Sequence, residues 1–154
     1  MTEPPGAVGA ILGRSLLPGR ARGELAVLEE PLSFWGGMDA DDGRVIDARH
    51  PQAGLILAGR VLAMPSGRGS SSSSSVLAEA IRASAAPTAI LLGEPDGIVV
   101  LGAAVAAELY GKVVPVVLIS PDAIAALPHG AEAEVEADEQ RAVVRILGEG
   151  PSVR

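Results

Sequence analysis

The sequence predicts an α/β fold, specifically a β/β/α domain built on a parallel βαβαβ unit with additional β segments. Two observations lead to this prediction. Residues 60–119 alternate short apolar runs with helical apolar stripes, and Gly- and Pro-punctuated apolar segments precede and follow them. A strand–helix–strand–helix–strand order gives a right-handed parallel unit. The outer β segments would then pack against this unit as a second layer.

The N-terminal half is predicted to be β structure interrupted by Gly and Pro. Residues 10–17 and 24–28 are apolar-rich and are separated by Gly and Pro, a pattern typical of a hairpin. An irregular segment begins at Pro31, and a short strand is expected over residues 44–47. These segments supply the additional β structure of the predicted fold.

The C-terminal half is predicted to alternate strands and helices. Its helices are indicated by apolar residues at helical spacing. Its central strands are apolar without alternation, as expected when both faces of a sheet are covered. In chain order, the predicted elements are strand 60–64, helix 75–83, strand 88–92, helix 97–109, strand 113–119, helix 121–127 and a hairpin of strands 132–138 and 141–147.

Composition narrows the classes of function. The net charge is −7 and Lys and Arg are not clustered, which argues against a nucleic-acid partner. Cysteine is absent, so these residues alone provide no thiol nucleophile, zinc–thiolate site or iron–sulfur ligands, and no metal site is predicted in the chain. A cluster held by a partner is not excluded.

Length and hydropathy predict one soluble domain over residues 9–148. Residues 1–8 are expected to be a disordered N-terminal tail and residues 149–154 a C-terminal tail. The first residues lack the basic and apolar regions of a signal peptide, and the longest apolar stretch is too short to span a membrane. We therefore expect a cytoplasmic protein without a membrane partner.

The most unusual feature is the sequence PSGRG at residues 65–69, followed by six serines at 70–75. A serine run alone is typical of a flexible linker. This run, however, lies between a buried strand and its crossover helix. A flexible linker at this position would not hold the helix against the sheet of the βαβαβ unit. We interpret it as a strand-to-helix loop whose serines form the first helical turn. The free amides of that turn, the helix dipole and Arg68 would make an anion-binding loop with a hydroxyl at its tip.

Other known loop chemistries fit less well. The loop is not a Walker loop, because the Lys is missing, and GxGxxG and GxSxG do not occur. A triad-type nucleophilic serine would need a histidine base. His50 could reach the loop, whereas His129 is interpreted as a bystander in a surface turn. A hydrolase is therefore the weaker interpretation.

Three segments resemble the aconitase X family, which includes bacterial cis-3-hydroxy-L-proline dehydratase and archaeal phosphomevalonate dehydratase. They are EEPLSFWGGMDADDGRVIDARHPQ (29–52), AGRVLAMPSGRGSSSSSSVLAEA (58–80) and ILLGEPDGIVVLGAAVA (90–106). Together they span about half of the chain in the order of the family. The combination is specific, although any one segment alone would be weak.

This resemblance implies a swivelling β/β/α fold, the small subunit or swivel domain of a hydro-lyase, docked on a larger subunit that carries an iron–sulfur cluster. In the family, the serine after an Arg/Lys-Gly pair is taken as the base that removes a proton. Arg68-Gly69-Ser70 matches this pattern, so Ser70 inherits the catalytic role and Ser71 and Ser72 compete for it. Arg68, Gly69, Ser71 and Ser72 are expected to bind the substrate. No cofactor is expected to be bound by this chain alone.

Two further features have alternative interpretations. The pair Phe34-Trp35 is either core or, with Gly36 and Gly37, a docking face for the partner, and both options are weighed equally. His50 is a further expected contact with the site or the partner.

Simple structural roles suit three more residues. Asp96 is most simply the N-cap of the second helix, although it also lies where α/β sheets bind ligands. Asp47 and Arg49 are interpreted as pairing only with each other.

The expected function is one subunit of a dehydratase that is inactive alone and acts on a small hydroxy-carboxylate. The composition and the six-serine loop favour cis-3-hydroxy-L-proline, with mevalonate 5-phosphate as the alternative substrate. Two other classes stay open: a noncatalytic interaction domain that covers a partner enzyme, and a stand-alone anion-binding module.

Overall fold

A computed structural model describes residues 9–148, so the two predicted tails, 1–8 and 149–154, lie outside the described residues. The strands are β1 (Gly9–Leu17), β2 (Gly19–Val27), β3 (Val61–Met64), β4 (Ala89–Leu92), β5 (Val116–Leu118), β6 (Glu132–Ala137) and β7 (Arg141–Ile146). The helices are α1 (Phe34–Gly37), α2 (Ser72–Arg82), α3 (Gly97–Tyr110) and α4 (Pro121–Ala126). None of these helices has the length and hydrophobicity needed to cross a bilayer.

The strands form a closed barrel in the order β1-β5-β4-β3-β2-β6-β7. β3, β4 and β5 are parallel neighbours connected by α2 and α3, which confirms the predicted βαβαβ unit. β2 extends the parallel part beside β3, whereas β6 and β7 form the predicted antiparallel hairpin.

Alternation along β3 divides the interior into two apolar layers. Val61 and Ala63 pack with Val135 of β6 and other residues of the hairpin side. Leu62 and Met64 point the other way, into the layer formed with α2 and α3. Because successive strand residues face opposite sides, one central sheet supports a β layer on one face and an α layer on the other. The predicted β/β/α architecture is confirmed.

The predicted hairpin between β1 and β2 is wrong, because the two strands do not pair with each other. β1 pairs with β7 up to Arg14 and with β5 from Arg14 onward, and β2 similarly passes from β6 to β3. Each strand changes its pairing partner beside a glycine. A Cβ at Gly13 would lie 2.7 Å from the carbonyl oxygen of Leu118, and a Cβ at Gly23 would lie 2.7 Å from that of Gly59. These glycines therefore mark barrel corners.

Three predicted boundaries also change. Residues 44–47 form only isolated bridges, through Arg44 and Val45, because no neighbouring segment runs beside them for more than one residue pair. The strand predicted over 113–119 is shortened to β5, since Pro115 has no amide to donate to a ladder. The helix predicted from residue 75 begins three residues earlier, at Ser72.

The helices α2 and α3 pack closely because Gly102 has no side chain. A Cβ at Gly102 would lie 2.7 Å from the carbonyl oxygen of Ser74, and backbone cannot move aside cheaply. Gly97, in the first turn of the same helix, has no neighbour within 4 Å of its Cβ position.

We predict opposite effects of the same substitution at these two positions. Gly102→Ala is expected to lower the free energy of unfolding by about 1–3 kcal/mol, because the helices must separate. Gly97→Ala is expected to raise it by up to about 1 kcal/mol through lower backbone entropy in the unfolded chain. Urea denaturation of both variants measures the difference. Equal stability of the two variants would contradict the close packing.

Candidate functional site

The serine loop (residues 65–71) leads from β3 to the N-terminus of α2. Ser71 already has helical dihedral angles, φ −59° and ψ −21°. The Ser70 carbonyl accepts the Ser73 amide at 3.0 Å, and Ser70 Oγ accepts the Ser72 amide at 3.3 Å. A residue whose carbonyl and side chain both accept from the first helical amides is the N-cap. Ser70 therefore caps α2, and its exposed Oγ lies at the positive end of the helix.

The serines of the run differ in their surroundings. Ser70, Ser71, Ser72 and Ser75 are exposed, and Ser74 Oγ donates to the Ser71 carbonyl at 2.7 Å. Ser73 is only 4% exposed. The run is thus the ordered start of a helix, and the flexible-linker interpretation is wrong.

The tryptophan turn (residues 32–37) forms the wall beside the serine loop. Leu32 and Gly67 are joined by a parallel β-bridge. Gly69 has φ +106°, and a Cβ there would overlap Ser33 Oγ. The loop therefore needs glycine at residue 69 for both its backbone conformation and its contact.

Asp96 packs against the serine loop at Gly67. Its Oδ1 accepts the amides of Ile98 at 2.9 Å and of Val99 at 3.2 Å, which confirms the predicted capping role. A Cβ at Gly67 would overlap Asp96 Oδ2. The N-terminus of α3 is thus neutralised by a carboxylate of the chain itself, whereas the first turn of α2 contains no acidic residue.

A cleft of about 360 Å³ opens beside the serine loop and the tryptophan turn. Its lining residues are Glu30, Ser33, Trp35, Gly36, Gly37, Asp47, Arg49, His50 and Arg68. Within residues 9–148, neither Arg49 nor Arg68 has a carboxylate oxygen within 4.0 Å of its guanidinium. The cleft therefore offers two guanidinium groups and two carboxylates to a ligand.

The expected ion pair between Asp47 and Arg49 is wrong. Asp47 Oδ1 instead accepts the backbone amide of Arg49 at 3.0 Å. The Arg49 guanidinium is left to the cleft, because the carboxylate is engaged by the turn that it closes.

Five of the predicted site residues line this cleft: Trp35, Gly36, Gly37, His50 and Arg68. Gly69, Ser70, Ser71 and Ser72 follow Arg68 along the chain but are not among the lining residues. Sequence reasoning missed Glu30 and Ser33 altogether and gave Arg49 only a structural role. No motif marks these residues, and only the fold brings them to the loop.

His50 is a structural histidine of the cleft wall. Its side chain is buried, Nε2 donates to the Glu30 carbonyl at 3.1 Å, and Nδ1 accepts the Gln52 amide at 3.0 Å. Both nitrogens are therefore engaged by backbone groups, with the proton on Nε2. A hydrolase base is not available at this residue. His129 is exposed and accepts the Val27 amide at 3.0 Å, far along the chain from the loop.

The sequence left open whether Phe34 and Trp35 belong to the core or to a docking face, and the structure gives the two residues different environments. Phe34 is 1% exposed and belongs to the core, whereas Trp35 is 59% exposed. Ile46 is 44% exposed and bonds through its amide to the Gly37 carbonyl at 2.8 Å. An apolar rim formed by Trp35 and Ile46 thus borders the cleft.

The residues of this chain do not fit an iron–sulfur cluster. Cysteine is absent from the sequence. In the part of the chain that the structure describes, no group of three His, Asp or Glu side chains is arranged to hold a metal ion.

The family model described as the aconitase X swivel domain matches residues 10–145. The cis-3-hydroxy-L-proline dehydratase of Pseudomonas aeruginosa is 50% identical over 120 residues, which cover 77% of this chain and 21% of that protein. The chain thus spans about one fifth of this relative, and likewise 18% of the cis-3-hydroxy-L-proline dehydratase of Hypocrea jecorina, with 41% identity over 108 residues.

Relatives of matching length are also found. The phosphomevalonate dehydratase small subunit of Thermococcus onnurineus is 38% identical over 127 residues, covering 82% of this chain and 92% of that protein. The crystal structure of Thermococcus kodakaraensis aconitase X in its holo-form superposes with a TM-score of 0.77 at 33% identity, covering 88% of this chain and 98% of the other. The match of the family model over most of the chain and the superposition on a solved aconitase X structure show that the chain belongs to the aconitase X swivel domain family.

Proposed function

We propose that this chain is the small subunit of an aconitase-X-type dehydratase and supplies Ser70 as the base that removes a proton from the substrate. The observation that carries the proposal is that Ser70 is exposed at the N-terminus of α2 and that its Oγ accepts the Ser72 amide at 3.3 Å. A serine oxygen that accepts an amide at a helix N-terminus is better able to carry negative charge. The acid-free first turn of α2 and the unpaired Arg68 act in the same direction.

We propose a zwitterionic hydroxy-acid as the substrate, and specifically cis-3-hydroxy-L-proline. Its carboxylate would bind a guanidinium of the cleft, and its ring ammonium would bind Glu30 or Asp47. The 50% identity to a cis-3-hydroxy-L-proline dehydratase supports this choice. Mevalonate 5-phosphate is the second candidate, because small-subunit relatives of matching length are named for that chemistry. A substrate with a carboxylate and a phosphate has no ammonium group, so Glu30 and Asp47 of the cleft would have no positive group of the substrate to bind.

In the proposed reaction, the residues of this chain act on the carbon beside the carboxylate. Arg68 holds the carboxylate and stabilises the negative charge that develops on it as the proton leaves. Ser70 Oγ, in its deprotonated form, takes that proton, and the electron pair of the C–H bond forms the C=C bond as the C–O bond to the next carbon breaks. The departing hydroxide takes a proton from solvent to become water, and Ser70 returns its own proton to solvent. The chain therefore provides positioning, charge stabilisation and the base.

The remaining components of the proposal belong to a partner. A large subunit would complete the active site and carry the iron–sulfur cluster, for which this chain has no ligands. The chain alone is then inactive, and a cytoplasmic location is part of the same proposal. The exposed Trp35 and Ile46 at the rim of the cleft suit the contact with that subunit.

We predict that the hydroxyl of Ser70 is required for turnover but not for assembly. Ser70→Ala is expected to lower kcat by about 10²–10⁴-fold, the contribution of a general base, while the subunits still associate. Ser70→Asn is the matched variant, because Asn caps helices as well as Ser does but has no hydroxyl. Loss of water from cis-3-hydroxy-L-proline and from mevalonate 5-phosphate by the two-subunit complex is the measurement.

The outcomes separate the candidate functions. Loss of activity in both variants, with Ser75→Ala unchanged, supports Ser70 as the base. Activity like that of the wild type in Ser70→Asn would remove Ser70 from the mechanism and leave Ser71 or Ser72 as the base, or a noncatalytic covering domain.

Arg68→Gln tests the binding of the carboxylate. We expect KM to rise about 10- to 100-fold, because a charge-assisted hydrogen bond to the substrate is lost. Arg141→Gln, an exposed arginine on the β6–β7 hairpin, is the matched control. Steady-state kinetics of both complexes provide the comparison. An equal rise in KM in the two variants would indicate a general charge effect in place of a bound carboxylate.

Trp35→Ala tests the docking face. We expect Kd for the large subunit to rise about tenfold or more, as at an aromatic hot spot. Leu101→Ala removes a side chain of comparable exposure on α3, 54% against 59%, and is expected to leave Kd unchanged. Titration of the large subunit followed by calorimetry measures both values. A larger effect at Leu101 would move the docking face to α3.

A further inference from the structure

Two hydrogen bonds join the serine run to the tryptophan turn, and a third lies within the turn. Ser33 Oγ donates to the Trp35 carbonyl at 2.9 Å, the Trp35 amide donates to Ser73 Oγ at 3.3 Å, and the two hydroxyls of Ser33 and Ser73 lie 3.2 Å apart. Because the Ser33 proton is used on Trp35, the Ser73 hydroxyl is the donor of the bond between the two hydroxyls. Each of the three donors then has one acceptor, and the ring of bonds is closed.

Ser73 is the buried member of this ring, with 4% of its surface exposed. A buried hydroxyl is retained at a helix start only where its bonds are satisfied. Two further contacts reinforce the attachment, since Leu32 and Gly67 form a β-bridge and Gly69 passes directly over Ser33. The start of α2 is thus fastened to the tryptophan turn at several adjacent points.

We infer that Ser73 is a positioning residue, which links Ser70 to the turn that presents Trp35. Through its amide, Ser73 holds the Ser70 carbonyl at 3.0 Å, and through its side chain it holds the Trp35 amide. A partner that contacts Trp35 would therefore also affect the position of Ser70, because Ser73 is hydrogen-bonded to both residues. This inference rests on the proposed function in taking Ser70 as the reacting group.

The serines of the run therefore have different expected roles. Ser70 carries the exposed hydroxyl, Ser73 carries the buried one, and Ser75 has an exposed side chain on the same helix. Substitution of Ser73 should therefore disturb the site without touching substrate, whereas substitution of Ser75 should not.

Amide hydrogen exchange on the full chain tests the link without any assay of activity. In Ser73→Ala, the amides of Trp35 and Ser72 are expected to exchange about tenfold faster or more, because one loses its acceptor and the other loses a fixed Ser70 Oγ. Exchange in the strands β3 and β4 should stay unchanged, which shows that the variant is folded. Ser75→Ala is the control, with exchange at Trp35 and Ser72 like that of the wild type. Unchanged exchange at Trp35 in Ser73→Ala would overturn the inference.

Kinetics of the two-subunit complex test the consequence for Ser70. Ser73→Ala is expected to lower kcat about 10- to 100-fold with little change in KM, as for a misplaced catalytic group. Ser33→Ala should have a similar effect, and the double variant should lose no more than either single variant, because both belong to one ring. Faster exchange with kcat like that of the wild type would overturn the positioning role.

The two hypotheses fail in different ways. If Ser70→Asn is active, the proposed base is wrong, yet the exchange of the Ser72 amide still shows whether Ser73 holds Ser70 in place. If Ser70→Asn is inactive and Ser73→Ala behaves like Ser75→Ala in every measurement, the base stands and the positioning role is wrong.

Discussion

The structure depends on one constraint, the fixed start of α2 at the edge of the parallel sheet. No acidic residue of its first turn offsets the positive end of the helix dipole, and the Ser72 amide is accepted by the exposed residue Ser70 through its hydroxyl. The neighbouring helix α3 begins in the same region, but Asp96 occupies its amides. No such carboxylate caps the start of α2, and the cleft lined by Arg68 lies beside it.

Much of the fold was predictable because its strongest signals are local. The apolar runs of β3 and β4 and the stripe of α2 report burial directly, so the βαβαβ unit and the β6–β7 hairpin follow from spacing alone. The path of β1 and β2 was not predictable in this way. Gly and Pro between two apolar segments indicate a reversal, but they do not say whether the two strands pair with each other or with other strands of a barrel.

The site was predictable only where a motif marks it. Arg68 and Ser70 lie in the loop that the resemblance identified, and Trp35 was recognised as an aromatic residue among glycines. Ser33 and Arg49 carry no such mark, since both lie in segments whose local pattern is irregular. They reach the loop through nonlocal contacts, such as the bridge of Leu32 with Gly67, and pattern reasoning along the chain cannot supply these.

The pairing of β1 with β7 has a consequence for how this fold is used. Gly9 and Ile146 are register partners on adjacent strands, so the two ends of the described chain lie side by side. A unit whose ends meet can be spliced into or appended to another polypeptide through short connections, without rearrangement of its interior. The same architecture can thus exist as a separate chain of its own size or as a fifth of a much larger protein, as its relatives do.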